Sequence, residues 1–144
     1  MYRLGIDIGG TKVNFGLLDE KKNLCWKQSM LTPHKLGEEA VGEICRQINA
    51  KLQEERIKKE EIAVCGVGVP GTVSRDGTRA LLVPNLGWND IPIAQLFEEN
   101  LGFSVSAIQD SRAAAYGEYC CGAAQGKQTI LCITLGTGIG TGIV

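Results

Sequence analysis

A chain of 144 residues, 44% hydrophobic and 22% charged, is long enough for one domain with its own core and too short for two. With 15 Lys+Arg against 16 Asp+Glu, its net charge of −1 offers no electrostatic basis for gripping a nucleic-acid backbone or an anionic membrane. No apolar run reaches the roughly 18 residues of a membrane span, and Met1-Tyr2-Arg3 leads straight into a strand pattern instead of a signal-peptide core, so a cytoplasmic protein is expected.

Leu4, Ile6 and Ile8 alternate with small or polar residues, and Val13, Phe15 and Leu17 do the same beyond Gly9-Gly10, which predicts a hairpin. Gly-Gly accepts positive φ at both central positions of such a turn. A purely structural turn needs neither Asp7 before it nor Thr11-Lys12 after it. The alternative is a ligand site, in which bare backbone N–H groups approach a polyphosphate and Asp7 holds a metal ion with its waters. Leu24 to Met30 continues as a third strand, and Thr32-Pro33-His34-Lys35 reads as a loop carrying an exposed histidine. From Glu38 to Arg56, Val41, Ile44, Cys45, Ile48 and Leu52 recur at helical spacing and predict an amphipathic helix.

Ile62 to Gly71 is apolar or glycine throughout, the pattern of a strand buried on both faces, and Pro70-Gly71 lies at its carboxyl end, where open α/β sheets bind ligands. A short hairpin turning at Ser74–Thr78 and returning through Ala80–Val83 follows. Pro84–Asp90 is then a polar loop, placed either to offer Asn85 and Asn89 to a small polar ligand or to pack Trp88 over the core. Pro92 stands near the start of a helix ended by Gly102. A strand through Val105–Ile108 delivers Gln109-Asp110 to a helix containing three consecutive alanines. Asp110 either caps that helix or points at a ligand from the same rim as Asp7 and Gly71.

Thr129 to Leu135 is an apolar strand leading into Gly136-Thr137-Gly138-Ile139-Gly140, after which a strand pattern resumes where a dinucleotide-binding fold would open a helix. Six cysteines show no C-x-x-C spacing and read as buried or partly buried thiols. Two strand–glycine turn–strand devices therefore bracket a buried strand ending in Pro-Gly and another ending in Asp.

In this order the motifs resemble those of the ROK family of sugar kinases and repressors, within the hexokinase/actin-like superfamily. Asp7-Ile8-Gly9-Gly10-Thr11-Lys12 is similar to the family's first phosphate motif and Gly68-Val69-Pro70-Gly71 to its sugar-side turn. Pro84-Asn85-Leu86-Gly87-Trp88 resembles its sugar loop, Asp110 to Glu118 its catalytic-aspartate helix, and Leu135 to Gly140 its second phosphate motif. The resemblance implies an α/β ribonuclease H-like, actin-like ATPase lobe, with a mixed five-stranded sheet, helices on both faces and a small inserted hairpin. Residues 1–144 would form the N-terminal lobe of a kinase transferring the γ-phosphoryl group of ATP to a hexose or amino sugar. It further implies Asp110 as general base and Asp7 as the Mg²⁺ carboxylate. Gly9, Gly10, Thr11, Lys12, Thr137 and Gly138 would hold phosphates, and Gly71, Asn85 and Gln109 the sugar. The same likeness implies a homodimer of the full-length protein, while the charge balance and hydropathy predict no nucleic-acid or membrane partner. A sugar-responsive transcriptional regulator of the family and a sugar-independent ATPase activator of the superfamily are the alternatives. Gln109 stands where the family usually has Asn, and Ser111-Arg112 where it has Ala-Asn. The family's His-containing sugar segment, Cys-rich zinc segment and nucleotide-base half have no counterpart in these residues.

Overall fold

The computed structural model describes residues 1–135 and 138–144. Strands β1 (Tyr2–Ile8), β2 (Lys12–Leu18) and β3 (Leu24–Leu31) form an antiparallel meander, and β4 (Ile62–Val69) and β8 (Val105–Gln109) extend it in parallel. The sheet order is β3-β2-β1-β4-β8. Between β4 and β8 the chain makes a three-stranded antiparallel sheet, β5 (Thr72–Val73), β6 (Ala80–Val83) and β7 (Trp88–Ile91), then helix α2 (Ile93–Leu101). Helix α3 (Asp110–Cys121) follows β8 directly, and β9 (Leu131–Leu135) pairs with β10 (Ile139–Ile143) in a separate hairpin.

Strand alternation decides which face becomes core. Leu4, Ile6 and Ile8 on β1, Val13, Phe15 and Leu17 on β2, and Cys65, Val67 and Val69 on β4 all turn one way and are buried. Helix α1 (Gly37–Glu54) lays Val41, Ile44, Cys45, Ile48 and Leu52 against them, joined by Phe97 and Leu101 of α2. The opposite face carries Gly5, Asp7, Asn14, Gly16, Gly66 and Gly68, and α3 packs against the ends of β4 and β8 on that side.

Helix α1 starts without a side-chain cap but with Glu38 and Glu39 in its first turn, where the helix dipole favours negative charge. It ends when Arg56 takes a left-handed φ of 58°. Arg56 then donates its N–H to Gln53 O at 3.1 Å, and Ile57 donates to Leu52 O at 2.9 Å.

Four sequence expectations change. Cys25 and Cys121 are exposed, where the sequence pattern reads all six cysteines as buried or partly buried thiols. β4 is buried on one face only: Val64 and Gly66 are exposed, because nothing covers that part of the sheet among the described residues. The 84–90 segment is a 3₁₀ turn followed by a strand, in which Trp88 is 2% exposed and its indole N–H donates to Lys35 O at 3.3 Å. Finally, neither Gly9 nor Gly10 adopts a left-handed φ. Gly9 donates to Lys12 O at 2.9 Å, and a Cβ at Gly9 would lie 2.8 Å from that same oxygen, so the turn needs glycine for close backbone approach and not for φ.

Candidate functional site

The β1–β2 turn, the carboxyl ends of β4 and β8, the start of α3, the end of β9 and residues 138–140 meet around one cleft of about 430 Å³. Topology puts them there. β1, β4 and β8 run parallel, so Asp7 (on β1), Pro70-Gly71 (after β4) and Gln109-Asp110 (after β8) emerge at the same edge of the sheet. Asp7 Oδ1 and the Cα of Asp110 lie 3.6 and 3.7 Å from the point where a side chain on Gly68 would begin, so the bare glycine lets Asp7 and the backbone of Asp110 approach the same spot.

The hairpin that carries the second glycine turn is fastened to α3 by absent side chains. A Cβ on Gly142 would collide with Ser111 O and come within 2.8 Å of Ala115 Cβ, and one on Gly140 would lie 2.5 Å from Thr134 Oγ1. This contact draws β10 close enough for Gly138, Ile139 and Gly140 to line the cleft opposite Gly9 and Gly10.

Of the residues singled out in the sequence, Asp7, Gly9, Gly10, Gly71, Asn85, Gln109, Asp110 and Gly138 all line this cleft. Asn85 Cβ lies 3.9 Å from the Cβ position of Gly10, which joins the sugar-side loop to the first turn. Thr11 and Lys12 are exposed and lie outside the cleft lining, and Thr137 falls outside the described residues. Asn89 is exposed on β7 away from the cleft, whereas its neighbour Trp88 is core.

Asp110 is the first residue of α3 and is half-buried. One carboxylate oxygen, Oδ1, accepts the Ser111 N–H at 2.6 Å, and the other has no donor among the described residues. Asp110 is therefore not the cap of α3: the cap position is Gln109, which makes no side-chain capping bond, and the bond from the adjacent Ser111 amide leaves the second Asp110 oxygen for a ligand in the cleft. Asp7 accepts from Asn14 Nδ2 at 3.3 Å through Oδ2, and Asn14 Oδ1 accepts from Ser29 Oγ at 2.8 Å, a chain across three adjacent strands that orients the carboxylate. The first turn is anchored separately. Thr32, 3% exposed, donates Oγ1–H to Gly9 O at 2.7 Å and its N–H to Thr11 O at 3.0 Å.

Asn14, Ser29 and Thr32 were not evident as site supports from sequence. The hairpin register Asp7↔Asn14 and the β2–β3 register Asn14↔Ser29 were the available signal, since both follow from counting outward from the turns.

Asp7 and Asp110 are the only ionisable side chains lining the cleft among the described residues, and no set of three His, Cys, Asp or Glu side chains there could hold a metal unaided. Backbone N–H groups on two glycine turns beside one or two carboxylates suit a polyphosphate whose Mg²⁺ keeps most of its ligands from phosphate and water.

The chain matches the ROK family over residues 3–144. It is 37% identical over 142 residues to a glucokinase of Streptomyces coelicolor, an alignment covering 98% of this chain and 43% of that protein. A putative xylose repressor of Caldicellulosiruptor is 33% identical, with 98% of this chain and 36% of the repressor aligned. An N-acetylmannosamine kinase of Escherichia coli O6:H1 is 30% identical, with 100% and 47% aligned. The crystal structure of a ROK family glucokinase from Streptomyces griseus in complex with glucose and AMPPNP superposes with a TM-score of 0.89 at 35% identity, covering all of this chain and 44% of that one. The chain thus spans less than half the length of these relatives. No described helix is long and apolar enough to cross a membrane.

Proposed function

Because this chain belongs to the ROK family, we propose that it forms the N-terminal lobe of an ATP-dependent sugar kinase acting on a hexose or amino sugar. The observation that carries the proposal is convergence: Gly9 and Gly10, Gly138 and Gly140, the acids Asp7 and Asp110, and Gly71, Asn85 and Gln109 line one cleft.

Bound ATP supplies the transferable γ-phosphoryl group, and Mg²⁺ offsets its charge. Gly10 and Gly138 present backbone to the phosphates, with Thr11, Lys12 and Thr137 as the flanking contacts on the same two turns, and Asp7 holds the metal ion or its waters. Gly71, Asn85 and Gln109 orient the sugar. The free carboxylate oxygen of Asp110 would accept the proton of the sugar hydroxyl as the hydroxyl oxygen bonds to the γ-phosphorus and the bond from that phosphorus to the β-phosphate oxygen breaks, releasing ADP. Phosphoryl transfer depends on positioning and charge neutralisation, which backbone turns, a metal ion and a carboxylate base provide without a covalent nucleophile. Glucose and N-acetylmannosamine, which the names of relatives give as substrates, are the first sugars to test. We place the protein in the cytoplasm as a homodimer without a nucleic-acid or membrane partner.

Asp110→Asn in the intact protein should leave sugar binding measurable while turnover falls about 10²–10⁴-fold; unchanged turnover removes Asp110 from this role. The 144 residues alone leave the cleft open on one side, so little turnover is expected from them, and vigorous ATP-dependent phosphorylation by this piece would overturn that expectation. The similarity to a putative xylose repressor favours a second reading, a sugar-responsive regulator. Sugar-dependent retardation of DNA by the intact protein, with no phosphorylation of any sugar, would select it.

A further inference from the structure

We propose that a second pocket, separated from the cleft by Gln109, is an anion site for a small phosphomonoester or free phosphate. It has a volume of about 390 Å³ and lies between the β5–β6 turn, the exposed edge of β8 and the first turn of α3, with Arg75 and Arg112 on its walls. Gln109 lines both spaces, and Arg112 stands one helical turn beyond it.

Three observations support the assignment. First, neither Arg75 nor Arg112 forms an ion pair among the described residues, although Arg79 in the same turn pairs with Asp90 at 2.6 Å. Two free guanidiniums on one concave surface supply the planar, multi-donor recognition that a phosphate dianion needs. Secondly, the one acid in the pocket is already engaged. Asp76 Oδ1 accepts from Ser74 Oγ at 2.6 Å, Thr78 Oγ1 at 2.8 Å and Thr78 N at 3.1 Å, and these bonds, Ser74 first, hold its carboxyl down to about 2. It stays ionised, and its single negative charge offsets one of the two arginines and leaves the other in excess.

Thirdly, the pocket is rigid before any ligand arrives. Gly77, at φ +73°, accepts the Ala107 N–H at 2.8 Å, and a Cβ there would lie 2.5 Å from Ser106 Oγ, so the turn is seated directly on β8. Ser106 and Thr72 add exposed hydroxyl donors, and the start of α3 adds the positive end of a twelve-residue helix. The turn backbone is held in place before a ligand arrives, so ordering falls only on the two exposed arginine side chains.

The test needs no nucleotide and does not depend on the kinase reading. The chain is titrated with inorganic phosphate, glucose 6-phosphate and uncharged glucose while backbone amide shifts are followed by NMR. Saturable shifts at residues 74–77, 106–108 and 112, without shifts at 9–10 and 138–140, are expected with both phosphates. Equal affinity for the two identifies free phosphate as the ligand, and tighter binding of the ester identifies a phosphomonoester. Arg75→Gln and Arg112→Gln should each weaken binding about tenfold or more, while Arg46→Gln on the remote helix α1 leaves it unchanged. Absence of saturable shifts overturns the proposal. So does equal weakening by Arg46→Gln, which would make the effect one of general charge, and so does equal binding of uncharged glucose at the same amides.

Discussion

Thr32→Val removes one hydroxyl and keeps the side-chain volume, so it isolates the bond that anchors the first glycine turn. Thr32 is 3% exposed and its Oγ1–H reaches Gly9 O at 2.7 Å. A carbonyl deprived of its donor in a partly buried setting costs about 1–3 kcal/mol. Taking 2 kcal/mol as the middle of that range and a urea slope of about 2 kcal/mol/M, the unfolding midpoint should fall by about 1 M. Thr32→Ser is the matched control. It keeps the hydroxyl and loses one buried methyl, for about 0.8 kcal/mol. Stability should therefore rank Thr above Ser above Val. Hydrogen exchange should report the same cause locally, with the Thr32 N–H, bonded to Thr11 O at 3.0 Å, losing protection in the Val variant. A Val variant as stable as the wild type, or more stable than the Ser variant, would refute the assignment of Thr32 as the anchor.

Further consequences are testable on the same chain. Arg56 sits at φ 58° at the end of α1, so Arg56→Gly should raise stability by about 0.5–1 kcal/mol in chemical denaturation, and a loss would show that the side chain outweighs its backbone strain. Burial pushes the Cys45 and Cys65 thiols up to about 12, whereas Cys25 and Cys121 are exposed. Alkylation at pH 8 should mark Cys25 and Cys121 in the native chain and reach Cys45 and Cys65 only on unfolding; native labelling of Cys45 at the rate of Cys25 would contradict the core packing. Asp76 has its carboxyl lowered from 3.8 to about 2 in the folded chain, so its turn is favoured above pH 4 and loses that support as pH falls toward 2. A carboxyl NMR titration should give a midpoint near 2 in the native state, and one near 4 would remove the Ser74 and Thr78 bonds from the account.

The sequence disclosed most of the frame because the frame obeys simple periods. Leu4 to Leu18 alternates with period two, Val41 to Leu52 recurs with the helical period, and the ends of the parallel strands place Asp7, Gly71 and Asp110 at one edge. Long-range coverage was less visible. Ile62 to Val69 is apolar enough for burial on both faces, yet Val64 and Gly66 stay exposed, because composition does not reveal whether another element will lie over a face. Trp88 sits in a strand despite its polar neighbours, since Asn89 and Asp90 face outward and Asp90 is tied to Arg79, eleven residues away in the chain. The supports of the site were the least visible part. Thr32 looks like any loop threonine until its hydroxyl is seen at Gly9, and the Asp7–Asn14–Ser29 chain appears only once three strands are in register. The glycine turn shows a different gap, where the residue was evident and its reason was not: close approach to Lys12 O, in place of positive φ.

The central claim is that the two glycine turns serve one polyphosphate beside Asp110. Amide NMR of this chain titrated with Mg²⁺–AMPPNP tests it most directly. The account predicts that residues 9–12 and 138–140 shift together with a single apparent affinity, and that added sugar then perturbs Gly71, Asn85 and Gln109. Shifts at one turn only, or two turns responding with unrelated affinities, would contradict it.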